Sequence, residues 1–220
     1  LFPAGGAFVS GLSALPSGAE IVLPTLLGLR NPAFARQYWS FVGLHNVTLL
    51  AAVPTVIATL LGLEPPAGAL RSVRMLLTGG SPLPTELAAA FERKFQVPVR
   101  NILGMTECAG VISIEPFFAP RVPGSCGLPL PFTEVKAVAP DGRACAAGES
   151  GILRVRGPNV GPGYTDARRN AGTSTDDGWL ITGDIGHVDA QGRVFVTGRA
   201  KDVIIRGGHN IDPQLMEEAL

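Results

Sequence analysis

Short apolar runs and helical spacings alternate along the first half of the chain. "AEIVLP", "NVTLLAAVP", "VRMLLTGG" and "VPVRNILGMTE" read as strands, each a brief apolar run, whereas "TELAAAFERKF" has helical spacing. "TVIATLLGL", next to Pro54, reads as a second helix. Strand followed by helix, repeated to about Val122, predicts an α/β fold with a mostly parallel sheet, and such sheets take ligands at the carboxyl ends of their strands. From about Pro123 the texture changes to short strands separated by Gly, Pro and Asp. Pro140-Asp141-Gly142-Arg143 and Asp189-Ala190-Gln191-Gly192 are turn chemistries, so this part is expected to form a small antiparallel β-barrel-like subdomain. Past Gly198, "DPQLMEEAL" has Asp212 as N-cap and Pro213 at the first helical position, and reads as the start of another unit. The expected organisation is 1–122 α/β, 123–198 antiparallel, and 199–220 a connecting segment.

Composition narrows the chemistry. The 220 residues are 46% hydrophobic, enough for a sizeable core. Lys plus Arg and Asp plus Glu each number 18, so no net charge favours nucleic acid or an anionic membrane, and a small-molecule partner is expected. The three cysteines, Cys108, Cys126 and Cys145, stand in no metal-ligand spacing and fit a reducing, cytoplasmic setting. No charged residue occurs from Gln37 to Leu63, long enough to span a bilayer. The stretch nevertheless holds His45, Asn46, several threonines and Pro54, and reads as a buried strand, a turn and a helix. The chain opens on Leu1 inside an apolar run, as expected of a piece of a longer protein.

Three segments carry candidate chemistry. In "LLTGGSPLPTELAAAF" a strand reaches Gly79, Gly80 and Ser81, where missing side chains admit a flat ligand; a tight strand-to-helix turn would use the same glycines. In "NILGMTECAG" the strand delivers Gly104, Thr106 and Glu107 to the same sheet edge as the double glycine. A hydroxyl beside a carboxylate suits a phosphate oxygen and its Mg²⁺, although a helix start has the same composition. In "GWLITGDIGHVDAQGRVFVTGR", Asp184 is expected as an exposed carboxylate able to accept from two sugar hydroxyls, or else as an ordinary turn aspartate. Arg199 lies across a predicted hairpin from it, so both could face one ligand.

In this order "TGGSPLP", "GMTE", "GWLITGDIG" and "GRAKDVIIRGGHNIDP" resemble the adenylate-forming superfamily of acyl- and aryl-CoA synthetases, adenylation domains and luciferases. The resemblance covers almost the whole chain and implies part of the large N-terminal domain reaching the hinge. It implies an acid:CoA ligase that activates a carboxylic acid with ATP to an acyl-adenylate and transfers the acyl group to coenzyme A. Carried over by motif, Gly79, Gly80 and Ser81 border the adenine, with Leu103, Gly104 and Met105 completing the nucleotide site. Thr106 contacts the α-phosphate, Glu107 the Mg²⁺, and Asp184 the ribose hydroxyls, with Arg199 near ribose and phosphate. Lys201 stands at the hinge between the large and small domains, and Gly207 and Gly208 line the pantetheine tunnel.

Some positions depart from the family pattern. Leu103 replaces an aromatic ring that usually stacks on adenine, Pro3 a histidine, and Leu215 a common glutamate, while Glu217 is kept. The resemblance also implies a phosphate loop upstream and an adenylation lysine downstream, so the chain alone is expected to be poorly active. Small residues Ala109 and Gly110 in "CAGVISIEPFF" are expected to leave space for an aliphatic or alicyclic acid. Two other readings are an assembly-line adenylation domain serving a carrier protein, and a catalytically silent nucleotide-binding module.

Overall fold

The computed structural model describes residues 11–201, together with the backbone of 204–206 and 209–211. The chain divides into two compact units, Leu1–Ile102 and Leu103–Leu220. Among the described residues the first holds a short helix, α1 (Ala14–Ser17), followed by α2 (Pro32–Leu44), β1 (Leu49–Ala51), α3 (Pro54–Leu61), β2 (Met75–Gly79), α4 (Thr85–Phe95) and β3 (Val99–Leu103), whose last residue opens the second unit. Strands β1, β2 and β3 are adjacent and parallel, as their alternation with helices predicts, and Gly79 stands opposite Ile102.

Local chemistry starts and stops these elements. Asn31 caps α2 through Oδ1, which accepts from the N–H of Ala33 (3.0 Å) and of Phe34 (3.4 Å), and Pro32 occupies the first turn, where its missing N–H costs nothing. In α4, Glu86 sits in the first turn and Arg93 and Lys94 in the last, each sign suited to the helix dipole at its end. The helix stops at Gln96, which adopts a left-handed conformation. Helices α2 and α4 meet through Trp39 and Phe95, with ring centroids 4.9 Å apart, and the core continues through Val42, Leu50, Ile57, Leu60, Leu76, Phe91 and Val99.

The uncharged stretch from Gln37 to Leu63 holds the end of α2, then β1 and α3, and no helix among the described residues is long and apolar enough to cross a membrane. The expected strand in "AEIVLP" does not form: Ala19–Pro24 has no regular structure, and Ile21 and Leu23 are exposed. Among the described residues no neighbouring strand completes a ladder there, and an apolar run without a hydrogen-bonding partner does not become a strand.

The second unit contains β4 (Ser113–Ile114) antiparallel to β5 (Leu128–Pro129), then a four-stranded antiparallel sheet of β6 (Glu134–Val138), β7 (Gly151–Arg156), β8 (Leu180–Val188) and β9 (Val194–Arg199). The sheet is not closed into a barrel; its strands follow in the order β6-β7-β8-β9. The backbone of β10 (Ile204–Arg206) pairs antiparallel with β11 (His209–Ile211). Asp189 sets the β8–β9 turn, its Oδ1 accepting from the N–H of Gln191 (2.9 Å) and of Arg193 (2.8 Å). Trp179 is buried beneath two cations, Lys136 at 3.9 Å and Arg156 at 4.5 Å from the ring, with Arg156 held in turn by Glu134. Leu153, Val155, Leu180, Val194, Cys108 and Ile112 form the apolar interior.

Candidate active site

The double glycine of the first unit divides into two roles. A Cβ on Gly79 would stand 2.6 Å from the Ile102 carbonyl oxygen, so Gly79 is needed for the approach of β2 to β3. Gly80 has φ +84° and, among the described residues, a Cβ there would meet only Val53 Cγ1, at 4.0 Å, beside exposed Ser81. Thr78, just before them, is buried, and its hydroxyl takes no partner among the described residues.

In the second unit the segment from Leu103 to Ile112 closes on itself. The Leu103 carbonyl accepts from the Ile112 N–H (2.8 Å), and the Met105 carbonyl accepts from the N–H groups of Cys108 and Gly110 (both 3.1 Å). The closure presses Gly110 onto Gly104, whose hypothetical Cβ would lie 1.7 Å from the Gly110 oxygen. Gly104 is therefore glycine for the sake of the chain's own closure, while Gly110 has φ +107°, a conformation that favours glycine. Leu103 and Met105 are half-buried against the apolar interior.

Thr106 and Glu107 occupy a single 3₁₀ turn, Thr106–Cys108, at the head of this closed segment. Thr106 is exposed and its hydroxyl takes no partner among the described residues, leaving it available to a ligand. Glu107 is half-buried; its carbonyl accepts from the Gly161 N–H (2.8 Å) and its carboxylate accepts from the Tyr164 hydroxyl. Burial, with the Glu107 charge adding to it, pushes the Cys108 thiol up to about 12, and burial pushes Cys126 up to about 11. Neither thiol is ionised near neutrality, which removes both as nucleophiles.

Asp184 corrects an expectation. It is 5% exposed, not an exposed carboxylate, because the odd-even alternation of β8 puts it on the inward face with Leu180 and Thr182. Thr182 Oγ1 donates to the Leu153 carbonyl (2.8 Å) and accepts from the Asp184 N–H (3.0 Å), holding the strand at that point. Arg199 lies directly opposite on β9, and its Nε donates to Asp184 Oδ1 at 2.8 Å while its side chain stays 64% exposed. A buried carboxylate is thus capped by a solvent-facing guanidinium. The hairpin brings the two together as expected, with the pleat deciding the burial. Lys201, two residues beyond Arg199, is exposed. Gly207, Gly208, Pro3, Asp212, Pro213, Leu215 and Glu217 lie outside the described residues.

Burial raises the Asp184 carboxyl above its ordinary value, and Arg199 offsets part of the rise. A group with a raised native pKa contributes stability below its unfolded pKa, about 3.9 for aspartate, and loses it as pH climbs through the native value. Asp184→Asn is therefore expected to melt at a higher temperature than the parent near pH 8, with the difference closing toward pH 4. A lower melting temperature at pH 8 would instead make the carboxylate a structural necessity.

Sequence reasoning passed over Tyr164. Nothing local marks it, since its partner Glu107 is 57 positions away, although the Gly-Pro-Gly-Tyr run of 161–164 marks a turn that needed an anchor.

The chain is similar to several known proteins. The marinolic acid–CoA ligase of Pseudoalteromonas sp. (strain SANK 73390) is 37% identical over 225 residues, covering 100% of this chain and 34% of the relative. The ATP-bound crystal structure of MatB from Rhodopseudomonas palustris matches with a TM-score of 0.83 at 29% identity, over 98% of this chain and 42% of that one. The O-succinylbenzoate coenzyme A synthetase of Bacillus subtilis, in complex with ATP and magnesium ion, matches with a TM-score of 0.74 at 35% identity, over 93% of this chain and 42% of its own. The chain thus spans from 34% to 42% of the length of these relatives. The family model for AMP-binding enzyme matches residues 4–165, taking in the double glycine and the Thr106–Glu107 turn, and the chain belongs to that family.

Proposed function

We propose that this chain is part of an acid:CoA ligase that joins a carboxylic acid to ATP as an acyl-adenylate and then passes the acyl group to coenzyme A. The observation that carries the reading is the chemistry of the second unit. It holds a free hydroxyl beside a half-buried carboxylate at Thr106–Glu107 and a buried carboxylate capped by a guanidinium at Asp184–Arg199. The relatives named for CoA ligation support the reaction class.

In the first half-reaction an oxygen of the substrate carboxylate attacks the α-phosphorus, and the bond to the bridging oxygen of pyrophosphate breaks. Thr106 donates to a phosphate oxygen and Arg199 places its charge near ribose and phosphate, so negative charge is met where it develops. Asp184 accepts from the ribose hydroxyls and is fixed for that purpose by β8. In the second unit Leu103, Gly104 and Met105 contact the nucleotide; in the first, Gly79, Gly80 and Ser81 carry the motif assigned to adenine. In the second half-reaction the coenzyme A thiol attacks the acyl carbonyl and AMP leaves. No protein nucleophile enters either step, in keeping with the suppressed thiols of Cys108 and Cys126. Lys201 serves the hinge between the steps, and Gly207 and Gly208 make room for the pantetheine arm.

Glu107 fits a magnesium site of the substrate-bridged kind. It is a single carboxylate, and among the described residues no cluster of three or more His, Cys, Asp or Glu side chains could form a closed metal cage. Mg²⁺ commonly takes one or two carboxylates and completes its shell with phosphates and water. When bound, it supplies Lewis-acid neutralisation of the phosphate charge.

The acid we propose is aliphatic or alicyclic. The test is acid-dependent ATP–pyrophosphate exchange in the full-length protein against fatty, alicyclic, aryl and amino acids, followed by coenzyme A addition. Exchange with aliphatic acids and thioester formation is the expected result. Exchange confined to amino acids would point to a carrier-protein acceptor, and none with any acid would point to a silent nucleotide-binding module. Asp184→Asn is expected to weaken ATP binding roughly ten-fold or more, the value of a hydrogen bond to a charged group. Unchanged affinity by calorimetry would remove Asp184 from the site.

A further inference from the structure

The Tyr164 hydroxyl donates to the Glu107 carboxylate, and the segment carrying this tyrosine belongs to none of the motifs that led to the proposed function. Its backbone is fastened at two points. Upstream, the Gly161 N–H donates to the Glu107 carbonyl at 2.8 Å. At Tyr164 itself, Asn170 grips the peptide groups twice: its Oδ1 accepts from the Tyr164 N–H (2.7 Å) and its Nδ2 donates to the Tyr164 carbonyl (3.1 Å). Gly163 permits the approach, since a Cβ there would stand 2.9 Å from Asn170 Oδ1 and its φ is +120°. Asn170 is itself anchored. Its carbonyl accepts from Thr173 Oγ1 at 2.8 Å, and the Thr173 carbonyl accepts from the Ile181 N–H at 2.8 Å. Ile181 lies on β8, three residues before Asp184. A continuous hydrogen-bonded path therefore runs from the strand that carries one carboxylate to the phenol that holds the other.

We infer that Tyr164 is a positioning residue for Glu107: its hydroxyl fixes the carboxylate's rotamer by occupying one acceptor site and leaves the remaining sites for the Mg²⁺ that Glu107 would hold. The inference rests on the proposed function. A carboxylate on a one-turn 3₁₀ segment has several rotamers open to it, and an outer hydrogen bond from a clamped donor selects one before ligand arrives. Donors of this outer kind alter metal affinity by about 10- to 100-fold when removed.

The test uses Mn²⁺ as a paramagnetic probe, titrated into the full-length protein with ATP and followed by electron paramagnetic resonance. Tyr164→Phe, which keeps the ring and loses only the donor, is expected to weaken Mn²⁺ binding about ten-fold with an unchanged melting temperature. Asn170→Ala, which loosens the clamp but keeps the hydroxyl, is expected to weaken it by a smaller factor. Raising Mn²⁺ should restore adenylate formation in Tyr164→Phe, an effect that a merely structural tyrosine would not produce. Mn²⁺ affinity in Tyr164→Phe within about two-fold of the parent, set against the loss expected for an outer donor, overturns the positioning role alone. Absence of ATP-dependent Mn²⁺ binding in the parent overturns the proposed function and the positioning role with it.

Discussion

Gly104→Ala is expected to lose most of the stability of the second unit, on the order of 4–5 kcal/mol, a size reserved for substitutions that force backbone to move. The added methyl would meet the Gly110 oxygen at 1.7 Å and the Gly110 carbonyl carbon at 2.7 Å. Both obstacles are main chain, so no side-chain rotation relieves the overlap. Relief would have to come from opening the Leu103–Ile112 closure, with loss of the hydrogen bonds from Ile112 to Leu103 and from Gly110 to Met105. Domains of ordinary stability hold about 5–15 kcal/mol in total, so the loss would be about a quarter of it or more. The turn bearing Thr106 and Glu107 rides on the same closure, and activity should fall with stability. Denaturant unfolding monitored by circular dichroism checks this: a midpoint equal to the parent's would mean that the closure has slack the structure does not show.

Glu107→Gln is expected to behave in the opposite way, with a normal fold and a reaction slowed about 100- to 1,000-fold, the usual cost of removing one group that meets charge in a transition state. The amide is isosteric and its oxygen can still accept from Tyr164, so the segment 161–170 should stay in place. What disappears is the negative charge on which the proposed Mg²⁺ site relies. Pyrophosphate release under saturating acid and ATP is the readout. A rate within two-fold of the parent, against that expectation, would strip Glu107 of its assigned role.

The strands β2, β3, β8 and β9, and the helices α3 and α4, were legible because each displays its own period within a few residues. Helix α2 was hidden by the uncharged run into which it leads, where aromatic residues on several faces leave little polar contrast. "AEIVLP" shows the converse error, since a strand is defined by a partner that a single run of residues cannot reveal. At the candidate site, pairing of Asp184 with Arg199 followed from a turn and a strand length. Burial of Asp184 did not, because a hairpin fixes which residues face one another and leaves open which face of the sheet meets the interior.

The sequence by itself determined the order of the motifs, the strand-helix alternation of the first unit, the antiparallel strands of the second and the residue types on which the proposed phosphate, ribose and metal contacts rest. These are local properties, set by periodicity of two or 3.6 and by turn chemistry. Tertiary structure alone decided that Gly104 and Gly110 serve a backbone closure, that Asp184 lies inside with Arg199 over it, and that Tyr164 reaches Glu107 across 57 positions. Each depends on how the chain returns upon itself, and contacts between distant residues are selected by the packing of the whole unit, which no local pattern records.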